Sequence, residues 1–256
     1  MSENEEKKKE MLEQLTGSSD KKDAGPARNS GKKDSKPARN SDGHVLTEAE
    51  IKRQKLFDEN EKKLLAKGYK RHDLIISVMK ANFVGVLLTL PFIAAMVAGF
   101  ILWNGMPDID AMIREKPVRY FAMLGIIIVA TLALAVVHEK IHGWFWSIGA
   151  ENGSKDIEFG FQKETLTPYC TCRSPLSKKI YILGSMMPMT ILGIVLGIVA
   201  VFTGSLTLLA VAALQTMGGA GDILISCMLL TYKTAGKDII LIDHPTKIGL
   251  VVFEKE

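Results

Sequence analysis

Long apolar runs alternate with charged segments along this chain. Residues 82–103 (NFVGVLLTLPFIAAMVAGFILW), 119–137 (RYFAMLGIIIVATLALAVV), 180–203 and 205–230 are dominated by Leu, Ile, Val, Ala, Met and Gly. About 20 mostly apolar residues suffice for a helix to cross a bilayer, so each run predicts one transmembrane helix. Taken singly, such runs also suit buried helices of a soluble protein, but four in 256 residues favour the membrane. Residues 47–69 read as a soluble helix with a patchy stripe of Ile51, Leu56, Phe57, Leu64 and Leu65. Thr47 and Glu50 are spaced for a capping box, and Gly68 ends the helix. IEFGFQ at 157–162 alternates at the strand period, and the C-terminal KDIILIDHPTKIGLVVFEKE holds two strand-type runs around a DHP turn. These pieces predict a small sheet or hairpin beside the membrane.

The expected fold is therefore an α-helical membrane protein of about four transmembrane helices, with a small cytoplasmic β element and a disordered N-terminal tail. Its parts are a polar tail at 1–43, a cytoplasmic juxtamembrane helix at 44–80, a four-helix membrane domain at 81–232, and cytoplasmic strands at 233–256. The tail has almost nothing to bury and duplicates a polar unit, KKDAGPARNS then KKDSKPARNS. It suits a flexible arm or a docking motif. For 47–69, an exposed charged helix without a role is equally compatible.

The net charge of +4 averages two unlike halves, so it excludes little. The placement of the basic residues says more. Lys62, Lys63, Lys67, Lys70, Arg71 and Lys80 precede the first span, and Lys155, Lys163, Arg173, Lys178 and Lys179 lie between the second and third. The positive-inside bias then puts both termini and the 150–179 segment in the cytoplasm of a multi-pass cell-membrane protein. Three cysteines, Cys170, Cys172 and Cys227, form no disulfide framework. The first two suit reduced thiols or a structural metal.

The chemistry lies in VVHEKIHGW at 136–144. In this H-E-x-x-H motif, helical spacing puts His138 and His142 on one face, where both can ligate one metal. Glu139 is then placed to hold a water and take its proton. Zn2+ suits two imidazoles plus a carboxylate, with a fourth position for water, although three N/O ligands accept other divalent ions as well. The competing reading is a set of interfacial polar residues past the helix end. Asp222, in MGGAGDILIS of the fourth span, is the third ligand on this reading, since a lone carboxylate at that depth is costly without a cation. The competing reading for Asp222 is a hydrogen-bonded polar residue between helices. Gly218, Gly219 and Gly221 would let helices approach closely. His244, Glu151, Cys170, Cys172, His72 and His44 are weaker ligand candidates, with His244 a turn residue partnered by Asp243. Pro188, inside the third span, leaves the carbonyl of Gly184 without its helical donor. The kink opens the site, or is an ordinary membrane proline.

HEKIHG at 138–143, FGF at 159–161, YCTC at 169–172, GD at 221–222 and DHPTKIG at 243–249 together resemble the site-2 protease class of intramembrane metalloproteases. More closely they resemble a bacterial family of putative zincin peptidases of unknown function, over roughly 70–256. The resemblance implies zinc on His138, His142 and Asp222, with Glu139 as base. It also implies that the segment 155–172 receives an unwound substrate as an added strand. The site-2 pattern has Leu-Asp-Gly with an upstream Asn-Pro. Here Gly-Asp-Ile stands instead, with no such Asn-Pro.

The expected function is an intramembrane zinc metalloprotease acting near the cytoplasmic leaflet. The expected partners are the lipid bilayer and a membrane-protein or peptide substrate, not nucleic acid, with a homodimer left open. The rival readings are a non-catalytic membrane protein with a structural or degenerate metal site in assembly or signalling, and a dimeric transporter.

Overall fold

The computed structural model describes residues 47–162, 167–247 and 249–256. The duplicated tail unit and His44 lie outside these residues. The helix expected at 47–69 is α1, Glu48–Ala66, and its capping box forms as the sequence predicts. It is not an isolated charged helix. Phe57 and Leu64 are buried against a sheet, while Leu65 stays exposed.

The sheet has four antiparallel strands in the order β1-β6-β5-β4: β1 Lys70–Ile75, β4 Leu176–Ser177, β5 Asp238–Asp243 and β6 Gly249–Lys255. Both faces of β6 are covered. Val251 and Phe253 pack under α1, while Leu250 and Val252 pack towards the helix ends. Successive side chains of a strand point to opposite faces, so burial on both sides accounts for the unbroken apolar run LVVF. The region 44–80 therefore holds a strand as well as a helix. IEFGFQ does not join this sheet. It forms β2, Ile157–Gln162, in a separate antiparallel hairpin with β3, Thr167–Cys172.

Three helical stretches are long and apolar enough to cross a membrane. The first is α2, Val78–Asn104; the short α3, Ile109–Glu115, follows it, and the second is α4, Pro117–Ser147. The third runs over Lys178–Thr203 as α5 (Lys178–Pro188), a π-helical segment (Met189–Val195) and α6 (Leu196–Thr203). The run at 205–230 is not one straight helix. It splits into α7, Leu206–Gly218, and α8, Ala220–Thr231, bent by 48° and long enough together for a fourth span. Large apolar side chains such as Phe83, Leu102, Ile126, Val129, Leu132 and Phe202 are exposed on these helices. A water-facing surface rarely carries so much apolar area.

Of the glycines expected to bring helices together, a Cβ at Gly218 or Gly221 would meet nothing within 4 Å. Gly219, at the break, would meet Met189 at 3.0 Å. The tightest approach to α8 comes instead from Gly85, where a Cβ would lie 2.5 Å from the Ala220 carbonyl oxygen. The C-terminal ends of α4 and α8 and the N-terminal half of α5 share one apolar cluster with the sheet. It contains Trp146, Tyr181, Leu229, Leu176, Leu241 and Val252. This cluster fixes the three helices that carry the polar site.

Candidate metal centre

His138 and His142 project from one face of α4, and both are buried. Glu139 is half-buried beside them, and one ligand atom from each of the three lies within 4.8 Å of the others. Asp222, in the first turn of α8, reaches the same point. Its Oδ2 is 3.2 Å from His138 Nε2, and its Oδ1 is 3.4 Å from His142 Nε2. The break at Gly219 re-aims the chain just before Asp222, so the bend is part of how the carboxylate arrives.

Zinc bonds to nitrogen or oxygen of ~2.0–2.1 Å at a tetrahedral angle put neighbouring ligand atoms about 3.3 Å apart. Asp222 approaches the two imidazoles at separations near that value, one through each oxygen, and ligand atoms of His138, Glu139 and His142 lie within 4.8 Å of one another, so these donors are of the type and spacing that suit the ion.

His142 is held by a carbonyl and by a ring. Its Nδ1 is 2.9 Å from the carbonyl oxygen of Gly184. Its ring stacks on Trp146, with centroids 4.9 Å apart and planes 13° apart. The Trp146 Nε1–H donates to the Tyr181 carbonyl at 3.2 Å. Gly184 must be glycine, because a Cβ there would fall 2.2 Å from the Trp146 ring. Trp146 lies one turn after His142 on the same helix face, so that pairing was present in the sequence. Gly184 was visible only through Pro188.

The hairpin lies over the motif. A Cβ at Gly143 would meet the Phe159 ring at 2.5 Å. The Cys170 N–H of β3 donates to the Glu139 carboxylate. Burial pushes the thiols of both Cys170 and Cys172 up, so both are neutral at neutral pH. Asp243, expected to partner His244, instead accepts from Thr171 Oγ1 and from the Tyr181 hydroxyl, each at 2.6 Å. His244 Nδ1 accepts from the N–H groups of Thr246 and Lys247. Neither His244 nor His72 joins the cluster. His72 Nε2 lies 3.0 Å from Glu254 on the sheet.

Two neighbouring imidazoles with carboxylates beside them are a donor set that could hold a metal ion. No curated protein and no solved structure matches the chain. Residues 131–236, the segment that holds His138, Glu139, His142 and Asp222, match the model of the family described as putative zincin peptidase.

Proposed function

We propose that this chain is an intramembrane zinc metallopeptidase, cutting a peptide bond of a membrane protein or peptide near the cytoplasmic leaflet. The observation that carries the reading is the meeting of Asp222 with both motif histidines, on helices apolar enough to span a bilayer. His138, His142 and Asp222 would hold the ion, which when bound lowers the pKa of a coordinated water towards neutrality and polarises the scissile carbonyl. Glu139 takes the proton of the attacking water and passes it to the leaving amine. The Cys170 N–H hydrogen bond orients the Glu139 carboxylate while the site is empty of substrate. The backbone of β3 would give an unwound substrate segment main-chain partners beside Glu139.

The Lys and Arg clusters at 62–80 and 155–179 support a multi-pass arrangement with both termini cytoplasmic, which puts the hairpin and sheet on the same side as the site. The test uses the full chain in nanodiscs, with zinc content measured by mass spectrometry and cleavage followed on a set of single-span peptides, with and without chelator. About one zinc per chain and chelator-sensitive cleavage are expected. Absence of zinc from carefully prepared wild type would sink the reading. Zinc without cleavage of any span would support a structural metal in its place.

A further inference from the structure

Pro188 occupies a helical position, with φ −60° and ψ −47°. A residue there would ordinarily donate its N–H to the carbonyl four residues earlier, that of Gly184. Proline has no N–H to give. The next residue does not substitute for it, because the Met189 N–H bonds to the Met186 carbonyl. A carbonyl left without a donor is costly in an apolar interior. Here the donor comes from another helix: His142 Nδ1, 2.9 Å from the Gly184 oxygen. Both residues are buried, as is Pro188 itself.

A carbonyl only accepts, so His142 must carry its proton on Nδ1 when bonded to it. In the neutral ring, Nε2 is then an unprotonated lone pair, turned towards Asp222 Oδ1 at 3.4 Å. That is the form an imidazole needs to ligate a metal, and the partner on the other nitrogen sets it.

We propose that Pro188 is a positioning residue, which withholds the helical N–H from Gly184 so that this carbonyl fixes His142 with Nε2 facing the metal position. This inference rests on the reading of His142 as a metal ligand. It gives the proline a role in the site besides bending the helix. Restoring the N–H in Pro188→Ala would offer Gly184 a helical donor in competition with His142. Alanine is the residue best suited to a helix, so the substitution preserves the fold. Pro91, inside α2, is a second helical proline whose replacement controls for straightening a span.

The experiment uses the full chain in nanodiscs with 15N-labelled histidine. In the metal-free protein, at a pH high enough that the imidazole is neutral, the His142 signals, identified by their loss in His142→Asn, report which nitrogen carries the proton. Zinc affinity is then measured by chelator competition. Wild type and Pro91→Ala should show Nδ1 protonated and Nε2 bare. Pro188→Ala should show a mixture of tautomers and bind zinc about 10–100-fold more weakly, the range for loss of an outer-shell partner. An unchanged tautomer in Pro188→Ala overturns the proposal, whatever happens to affinity. So does a mixed tautomer with wild-type affinity, or an equal loss in Pro91→Ala. If wild type binds no zinc, the ligand reading fails by itself, and the metal-free tautomer comparison still decides the role of Pro188.

Discussion

Asp222 Oδ2 lies 3.2 Å from His138 Nε2, across 84 residues of chain and between two different helices. Its other oxygen faces His142 Nε2 at 3.4 Å. One carboxylate thus touches both imidazoles of the motif, with the bent pair α7–α8 delivering it. Replacing Asp222 by Asn keeps the shape and removes the charge. Zinc affinity should fall by more than about 100-fold, beyond the loss expected for an outer-shell group. Chelator competition on purified protein measures this, and retention of wild-type affinity would remove Asp222 from the ligand set.

Glu139 plays a different part, and the variants separate the two roles. In Glu139→Gln the side chain still fills its place and His138, His142 and Asp222 are untouched. Zinc content should stay at the wild-type level while cleavage drops by about 10²–10⁴-fold, the usual worth of a positioned general base. Wild-type cleavage by this variant would exclude the mechanism, and loss of zinc would make Glu139 a ligand instead.

The local part of this site was legible because chemistry and spacing coincide within five residues of one helix. Asp222 was legible for an energetic reason: a carboxylate in an apolar run needs a partner, and few were on offer. The supports of His142 were harder to see. A tryptophan and a glycine are ordinary residues in apolar helices, and only their contact across α4 and α5 gives them a role. β1 was missed because KRHDLI is largely polar and exposed, and its pairing partner β6 lies at the far end of the chain. The break at Gly219 was missed because the apolar run continues straight through it, and hydrophobicity alone carries no signal of a bend. The helix at 47–69 was placed correctly, but whether it packs depends on two residues, Phe57 and Leu64, which meet a sheet assembled from distant segments.

Asp243 ties the hairpin to the helices. Thr171 of β3 and Tyr181 of α5 both donate to its carboxylate at 2.6 Å. Tyr181→Phe removes one of two donors and should cost about 1.5–3 kcal/mol of stability, as for a hydrogen bond to a charged group. It should also loosen β3 and with it the Cys170 N–H that holds Glu139, so that cleavage falls further than zinc affinity. Thermal unfolding in detergent and the two activity readouts check this, and equal losses in both would place the effect on the metal instead.

His244 makes the sheet end sensitive to mild acid. Burial holds its imidazole below the ordinary value, with Arg71 and Lys247 adding to the effect and Asp73 opposing it. Its Nδ1 accepts from the Thr246 and Lys247 N–H groups at 3.2 and 3.0 Å, which only the unprotonated nitrogen can do. The unfolded chain, with an ordinary histidine near ~6.5, takes up a proton more readily than the folded one. The stabilising contribution is therefore complete above that value and is lost as pH falls through it towards the depressed folded value. Between pH 7 and 5, which lies above the ordinary carboxylate range, amide exchange at Thr246 and Lys247 should quicken and the unfolding temperature should drop. His244→Gln cannot titrate, so its unfolding temperature should change less over the same interval. An equally steep fall in that variant would assign the acid sensitivity to another group.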